Sequence, residues 1–402
     1  MEFKNTSTFS ISDIPGLSFK CFDGIAPCHS DWDLASFRGP NVLLKASYLS
    51  TLSENFESDM HQYYVIFYME DKVVGRALFQ CGLWEADSSY ADEAESQNSS
   101  FSLKNWFAKK VRFIGILCGN ILLTGEYGFD FEYSKVDKNR VPFIIGEAAN
   151  AIQESYYKDS KYPSAVIGKD LMVTKELNED WTQQGFHRFK VQPNMILKLD
   201  ADWKNFDDYL ASLSSKYRVR AKRAYKKSND IHFKEMNVEE IEANLETLFS
   251  YFKSVQKNAG FNLVYLKPNY FLELKKRLGD KYRLYGYYLD GRLIGFNTLI
   301  INHDELEAHF LGFDREVNIT HQLYLTMLYD KIKKAIGFGS KRIIYARTAL
   351  EIKSSVGAEP EELCIYLRHE NSLLNKFISP IIGLLNPREE WVQRHPFKEK
   401  EV

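Results

Sequence analysis

The sequence predicts an α/β protein that contains two copies of one mixed β-sheet domain. The first observation is a repeated hairpin. Residues 63–80, "YYVIFYMEDKVVGRALFQ", and residues 282–301, "YRLYGYYLDGRLIGFNTLII", both read as an aromatic strand, a polar turn and an apolar strand with a glycine. The second is that alternating strands and helices follow each hairpin. The third is length, because 402 residues exceed the roughly 250–300 at which single cores stop growing.

The elements after the two hairpins follow in the same order. Apolar runs bounded by turn residues predict the strands, and apolar residues three and four apart predict the helices. In the first half they are "VRFIGILCGNILLTG", "PFIIGEAANAIQESYY", "SAVIG" and the helix and strand of "EDWTQQGFHRFKVQPNMILKL". In the second half they are "ELEAHFLGF", "THQLYLTMLYDKIKKAI", "RIIYA", "ALEIKSSVG" and "ELCIYLRH". A hairpin combined with a strand–helix–strand crossover predicts a mixed central sheet in each half.

The domain boundary is predicted near residue 200, where a polar segment with helical periodicity begins. The predicted domains are therefore residues 1–200 and residues 201–402. The second domain ends in a predicted tail helix within "KFISPIIGLLNPREEWVQR", which either packs on the core or lies on a membrane surface. The acidic stretch "EADSSYADEAESQNSSFSLKNW" is predicted to be a surface excursion, with a lid as the alternative, and it makes the spacing between the copies unequal.

Composition narrows the range of functions. A net charge of −2 gives no broad positive field for non-specific nucleic-acid binding, so any anion site must be local. The five cysteines are scattered and lack CxxC spacing, which disfavours a disulfide framework or zinc site and suggests a reducing compartment. No signal peptide and no run of about 18 apolar residues are evident. We therefore predict a cytoplasmic protein that uses no metal.

The order of elements and the positions of four glycines resemble the Gcn5-related acetyltransferase (GNAT) fold. Gly75 and Gly295 lie in the two hairpins, and Gly185 and Gly357 lie near the ends of the two halves. A tandem of such domains is similar to the Fem-type acyltransferase group, which includes bacterial proteins of peptidoglycan biosynthesis. The matching segments are "SKYRVRAKRAYKK" and "RTALEIKSSVGAEP". The resemblance implies a duplicated GNAT-like fold of the acyl-CoA N-acyltransferase type.

The resemblance also implies an acyl donor, either acetyl-CoA or another acyl-CoA. In GNAT enzymes the pyrophosphate of coenzyme A lies on a helix N-terminus, usually within R/Q-x-x-G-x-G/A, and neither half has this motif. The thioester could instead arrive on an acyl carrier protein. Aminoacyl-tRNA, the donor of Fem-type aminoacyl transferases, is a further alternative. The helical arm of Fem ligases for cell-wall peptides has no counterpart here, which makes tRNA the less favoured partner.

Two segments of the second half carry candidate catalytic residues. In "ELEAHFLGF", strand alternation places Glu305, Glu307 and His309 on one face, where Glu307 and His309 could deprotonate an attacking amine. The alternative is a solvated strand face or a core histidine. In "RTALEIKSSVGAEP", the resemblance places a lysine in the cleft at Lys353, which could stabilise a developing oxyanion. The alternative there is a capped, solvated helix.

Candidate substrate-binding residues lie in two basic segments. Arg347 and Thr348 precede Lys353 in its segment and could hold a phosphate or carboxylate of the substrate. The segment "KYRVRAKRAYKK" carries seven basic residues in twelve, and Arg218, Arg220 and Arg223 are its candidates for an anionic group. A solvated helix face, a carrier protein and an acidic membrane surface are the alternatives for this helix.

These predictions combine into one functional hypothesis. The chain is expected to move an acyl group from a thioester, acyl-CoA or acyl carrier protein, to a small-molecule amine. A Fem-type aminoacyl transferase that uses aminoacyl-tRNA is the alternative enzyme. A degenerate tandem that only binds ligands is the alternative without catalysis.

Overall fold

The computed structural model of the chain describes residues 8–56, 60–85, 112–257, 266–378 and 391–399. Residues 86–106 of the acidic stretch lie outside this range. The chain packs into two units. The first consists of residues 1–191, 260–267 and 362–388, and the second of residues 192–259, 268–361 and 389–402. Within the described residues, no helix is both long enough and apolar enough to cross a bilayer.

The strands are numbered in chain order. They are β1 Thr8–Ser10, β2 Leu17–Asp23, β3 His61–Met69, β4 Lys72–Glu85, β5 Arg112–Cys118, β6 Phe129–Phe131, β7 Ser164–Met172, β8 His187–Lys190, β9 Asn194–Lys198, β10 His232–Glu235, β11 Tyr282–Leu289, β12 Arg292–Asn302, β13 Glu305–Phe313, β14 Arg342–Ile344, β15 Glu359–Glu361 and β16 Leu363–His369.

The α-helices are numbered in the same way. They are α1 His29–Leu34, α2 Ala46–Glu54, α3 Val141–Ile152, α4 Lys175–Gln183, α5 Phe206–Ser212, α6 Ser215–Lys227, α7 Val238–Ala243, α8 Leu245–Gln256, α9 Tyr270–Leu278, α10 Arg315–His321, α11 Leu323–Gly337, α12 Leu350–Ser354 and α13 Ser372–Asn375.

Each unit has one mixed sheet, and the strands from β2 to β8 along the first sheet have the same order as the seven described strands of the second. The described strands of the first sheet run β1-β2-β3-β4-β5-β7-β16-β8, with β6 paired to β4. Those of the second run β10-β11-β12-β13-β14-β9-β15. In each sheet one neighbouring pair is parallel, β5 with β7 and β13 with β14, and the other pairs are antiparallel. The predicted duplication of a mixed α/β fold is thereby confirmed.

The two hairpins match residue by residue, which explains the repeated sequence. Gly75 pairs with Phe67 and Gly295 pairs with Tyr287, and each glycine is preceded by a one-residue bulge in its strand. A Cβ atom on Gly75 would lie 2.2 Å from the ring of Phe131. A Cβ atom on Gly295 would lie 3.0 Å from the carbonyl oxygen of Gly312. Both glycines are therefore required for the close approach of a neighbouring strand.

Each sheet is completed by a strand from the other half of the sequence. Strand β9 ends the first half of the chain, yet it lies between β14 and β15 in the second sheet. Strand β16 follows the second half, yet it lies between β7 and β8 in the first sheet. "NMILKL" and "ELCIYLRH" are thus strands, as expected, but each pairs in the sheet of the opposite half. We refer to this arrangement as the strand exchange.

The boundary at residue 200 stays a prediction, and the packing units differ from it at β9 and β16. The part of the expected tail helix from Trp391 to Arg394 is not helical, and residues 379–390 lie outside the described residues. Residues 391–398 instead follow an extended path in the second unit. Phe397 pairs with Leu213, and its ring packs where a Cβ atom of Gly357 would lie. This contact fixes the extended segment against the core of the second unit.

Candidate functional site

The parallel strands of the second sheet separate soon after they begin. Pairing between β13 and β14 covers only residues 305–307 and 342–344, and β13 then continues to Phe313 without β14 beside it. The two parallel strands therefore part at their carboxyl ends, which is where open α/β sheets commonly bind ligands. We refer to this point as the splay. Beyond it, Phe310 of β13 packs on Phe252 of α8 with 5.0 Å between the ring centroids.

The corresponding point of the first sheet is filled by the protein itself. Strands β5 and β7 pair as far as Cys118 and Gly168. The next residue, Lys169, is buried; its Nζ donates a hydrogen bond to the carbonyl oxygen of Leu123 (2.6 Å) and pairs with the buried carboxylate of Asp170. The candidate site therefore lies in the second unit.

The segment after β14 has an unusual backbone. Ala346, Thr348 and Ala349 have φ angles of 58°, 66° and 48°, in the left-handed region. This region costs roughly 1 kcal/mol or more for a residue with a side chain, and such residues cluster at functional sites. The Nζ atom of Lys353 donates hydrogen bonds to the carbonyl oxygens of Ala346 (3.2 Å) and Arg347. Lys353 therefore stabilises the left-handed segment beside the splay.

Lys353 is a buried residue, so the alternative of a solvated helix is wrong for it. Its relative exposure is 5%. Burial lowers the pKa of Lys353 well below its ordinary value, and the positive charge of Lys331 lowers it further. Neither carbonyl partner neutralises an ammonium group, and no described carboxylate forms an ion pair with it. A negative charge that develops next to Nζ would favour the ammonium form, which burial otherwise disfavours.

Lys331, on the sheet-facing side of α11, is a second buried lysine that sequence reasoning missed. Its relative exposure is 1%. One turn earlier, the carbonyl oxygen of Leu328 accepts a hydrogen bond from the hydroxyl of Tyr345, directly after β14 (3.1 Å). Burial lowers the pKa of Lys331 to about 7, with a smaller effect from Lys334. In the sequence it is one of three similar lysines on an amphipathic helix, and no pattern distinguishes it.

Replacing Lys331 with methionine should raise thermal stability at neutral pH. The unfolded chain keeps the lysine protonated up to about pH 10.5, whereas the folded chain releases the proton near pH 7. Folding therefore loses about 1.4 kcal/mol for each unit of this difference, and the loss is largest below pH 7 and absent above pH 10.5. Melting curves of Lys331→Met and the wild type should differ most at pH 6.5 and converge towards pH 9.5. Lys333→Met, at an exposed position of the same helix, is the control. A variant less stable than the wild type at pH 6.5 would contradict this explanation.

Strand alternation does not continue through His309. Leu299 pairs with Ala308 and Asn297 pairs with Leu311, so His309 and Phe310 both lie opposite Thr298 in a bulge. The rings of His309 and Phe310 are 4.2 Å apart, between centroids. The imidazole of His309 contacts Thr298 on β12 and Tyr282 on β11, and the expectation that Glu305, Glu307 and His309 share one face stays a prediction.

The imidazole of His309 is held within the protein. Nε2 lies 3.1 Å from the hydroxyl of Tyr270, and Nδ1 lies 3.2 Å from Oγ1 of Thr298. Burial lowers the pKa of His309 to about 3, with a contribution from Lys331, so the ring is neutral near pH 7. Glu307 is also buried, with 5% relative exposure. Acid–base roles for His309 and Glu307 stay predictions, and the contacts of His309 are those of a core histidine.

Arg347 and Thr348, the predicted substrate-binding residues, differ in their contacts. Nε of Arg347 donates a hydrogen bond to the carbonyl oxygen of Gln192 (2.9 Å), two residues before β9, which ties the left-handed segment to the start of that strand. Thr348 is exposed. Both flank the splay in sequence, and their roles in binding stay predictions.

The basic segment forms α6, as expected, and is fixed to the core of the second unit. Ala221 and Ala224 are fully buried. The hydroxyl of Tyr225 donates to Oδ1 of Asp330 on α11 (3.3 Å). None of the basic side chains of α6 forms an ion pair with a carboxylate that the structure describes. These side chains are Lys216, Arg218, Arg220, Lys222, Arg223, Lys226 and Lys227.

A groove of about 730 Å³ runs between α6 and α12. Arg220 is the only one of the three predicted arginines that lines it, together with two neighbours on α6, the first turn of α12 and two residues of the C-terminal segment. The lining residues are Lys216, Tyr217, Arg220, Ala349, Leu350, Glu351, Ile352, Trp391 and Arg394. Arg394 pairs with Glu351, which leaves Lys216 and Arg220 as the groove's cations without a described counter-ion. Its lining includes Ile352, the residue that precedes Lys353.

The N-terminus of α11 follows the splay strand, and the protein caps it. The short helix α10 replaces the glycine-rich loop of the GNAT motif, and Oδ1 of Asn318 accepts a hydrogen bond from the backbone N–H of Tyr324 (2.8 Å). Gln322, in the left-handed conformation, separates the two helices. One of the first N–H groups, which could otherwise bind a pyrophosphate, is therefore already used.

The sequence does not predict a metal site. Among the described residues, no three or more His, Cys, Asp or Glu side chains are arranged to hold a metal ion. All five cysteines are free thiols in buried positions.

Comparison with known proteins identifies a family and a fold. The FemAB-like family, described as peptidoglycan biosynthesis/recognition, matches residues 163–380, more than half of the chain. The structure is similar to that of FemX, with 13% sequence identity over 87% of this chain and 98% of that chain and a TM-score of 0.53. It is also similar to a tandem GNAT protein from the clavulanic acid biosynthesis pathway, with 10% identity over 88% and 99% of the two chains and a TM-score of 0.51. No curated protein matches the chain. The fold is a duplicated GNAT-like fold.

Proposed function

We propose that this chain, which belongs to the FemAB-like family, is an acyltransferase that moves an activated acyl group to an amine at the splay of the second unit. The observation that carries the proposal is the pair formed by the splay and Lys353. The first sheet has an ion pair of its own where β5 and β7 part, whereas in the second unit a buried lysine with carbonyl partners lies beside the segment that follows β14. The family description favours an acceptor amine from peptidoglycan metabolism.

The proposed reaction needs one stabilised charge and one proton transfer. The acceptor nitrogen attacks the acyl carbonyl carbon, a C–N bond forms, and the carbonyl oxygen becomes an oxyanion. Lys353 stabilises this oxyanion, because an anion next to Nζ offsets the cost of keeping an ammonium group buried. The bond from the carbonyl carbon to the sulfur or oxygen of the carrier then breaks, and the proton from the nitrogen leaves with the carrier. No covalent bond to the protein is required.

The cap at the N-terminus of α11 affects which acyl donor the protein can bind. A coenzyme A donor would normally place its pyrophosphate at the N-terminus of α11, where Asn318 already accepts from Tyr324. This contact favours a donor that is held elsewhere, on an acyl carrier protein or, in the alternative reaction, on aminoacyl-tRNA. Arg347, Thr348 and the α6 arginines are proposed to bind the charged parts of donor and acceptor.

A transfer assay with three donors tests the proposal. Purified protein is incubated with a mixture of amino acids, amino sugars and cell-wall precursor peptides, and with acyl-CoA, acylated carrier protein or aminoacyl-tRNA in turn. Mass spectrometry should detect an acylated amine with carrier protein or aminoacyl-tRNA, and at most a slow reaction with acyl-CoA. Lys353→Met is the control for chemistry that does not depend on the protein. Failure of all three donors would favour a tandem that only binds ligands, and fast transfer from acyl-CoA alone would contradict the argument from Asn318.

A further inference from the structure

We propose that one face of α6 is the docking surface for an acidic protein that carries the acyl group. This inference rests on the proposed function and names the class of donor. The face consists of Lys216, Arg220, Arg223 and Lys227, which we refer to as the cationic stripe. Their spacing of four, three and four residues places them along one side of the helix, over about 16 Å at 1.5 Å per residue.

The cationic stripe has no counter-ions within the described part of the second unit. Elsewhere in this unit, basic residues on strands pair with nearby carboxylates, for example Arg283 with Glu235, Arg292 with Asp314, and Arg342 with Glu305. The stripe differs because its members are surrounded by further cations on the same helix. Close like charges repel one another, and an acidic partner relieves this repulsion on binding.

The stripe is also held rigidly, which suits a docking surface. Below it, Ala221 and Ala224 are buried, Tyr225 bonds Asp330, and the hydroxyl of Ser228 accepts from Oγ1 of Thr326 (3.2 Å). The helix is therefore fixed to α11, which also carries the buried Lys331. A partner that binds this face loses little energy in ordering the helix.

The stripe leads towards the site of reaction. Its first two members, Lys216 and Arg220, line the groove whose opposite wall is the first turn of α12. Lys353 lies on α12, directly after the groove residue Ile352. A carrier that docks on the stripe can therefore extend its acyl arm along the groove to the left-handed segment.

The form of the stripe favours a small acidic protein over a nucleic acid. The net charge of the chain is −2, so the positive field is confined to this helix and does not extend over a wide surface. An acidic helix presents carboxylates at the same spacing of three and four residues, which matches the stripe in length and in charge. Binding of such a donor would not require the N-terminus of α11, which Asn318 caps.

Binding measurements on the full chain test this proposal. The probe is a purified acidic acyl carrier protein with an acyl group on its prosthetic arm, labelled for fluorescence anisotropy. The test variant is Arg220→Glu with Arg223→Glu, and the matched control is Lys222→Glu with Lys226→Glu on another face of the same helix. The test variant should weaken binding at least 10-fold, and the control less than 3-fold. Affinity for the wild type should fall as salt rises.

Two further measurements separate the proposal from its alternatives. Equal losses in the two variants would show that only the total charge matters and would overturn the docking surface. Tighter binding of aminoacyl-tRNA than of carrier protein, or equal binding of polyglutamate, would overturn it as well. Transfer assays distinguish this result from a failure of the proposed function. Acyl transfer that proceeds from other donors without carrier binding would remove the docking surface alone, whereas carrier binding without any acyl transfer would remove the reaction and leave the surface.

Discussion

A fragment of residues 201–402 should fail to fold, although it begins at the boundary predicted from the sequence. The fragment lacks β9, which pairs with both β14 and β15 in the middle of the second sheet. Met195, Ile196 and Leu197 are 0–4% exposed, and burying each such side chain contributes roughly 1.5–3 kcal/mol. Their loss is comparable with the whole stability of a typical domain, about 5–15 kcal/mol. Circular dichroism and urea titration should show no cooperative transition.

A fragment of residues 192–402 is the matched control, because it differs from the first only by the nine residues that contain β9. It retains every strand of the second sheet, so we expect it to unfold cooperatively. If both fragments unfolded at the same urea concentration, β9 would not be an integral part of the sheet. If neither folded, the residues outside 192–402 would be required by the second unit for another reason.

Replacing Lys353 should have the largest effect on catalysis. If its ammonium group stabilises charge that appears only at the tetrahedral stage, Lys353→Met should lower kcat and kcat/KM together, by on the order of 10²-fold or more. The same change removes the donor to the carbonyl oxygens of Ala346 and Arg347, which weakens the left-handed segment, and it also removes the cost of burying the amine. Steady-state kinetics and melting curves measure the two effects on the same samples.

A control variant must separate the effect of losing the Lys353 side chain on catalysis from its effect on stability. Ser354 lies on the same short helix, donates to the carbonyl oxygen of Glu351 and accepts from the backbone N–H of Arg394. Ser354→Ala should therefore weaken this region and leave Lys353 in place, with kcat nearly unchanged. In Lys353→Ala, added ethylamine or propylamine should restore part of the activity. A destabilised Lys353→Met that kept the wild-type kcat would remove Lys353 from the mechanism and return attention to Glu307 and His309.

The sequence predicts the repeated unit well because the repeat is local. Gly75 and Gly295 lie at the same position after a two-residue turn, and the aromatic strands before them give the same pattern. The strand exchange leaves no such local pattern. β9 and β16 are recognisable as strands from their apolar runs, but an apolar run does not specify a partner strand more than 100 residues away.

Prediction of the site was limited for similar reasons. Lys353 was identified through a family motif, whereas its burial and its two carbonyl partners depend on the conformation of the segment after β14, where Ala346, Thr348 and Ala349 are left-handed. The bulge at His309 inserts one extra residue, which strand alternation alone does not reveal. The cap that Asn318 provides is a contact between two helices and has no signature of its own in the sequence.

The strand exchange also has a consequence for synthesis on the ribosome. The first sheet cannot close when residue 191 has emerged, because β16, which separates β7 from β8, begins at residue 363. At 5–20 residues per second, translation of the intervening chain takes roughly 10–35 s. During that time the facing edges of β7 and β8 have no partner, and unpaired edges promote aggregation of nascent chains. Protection of these two edges by a chaperone should therefore increase the yield of folded protein.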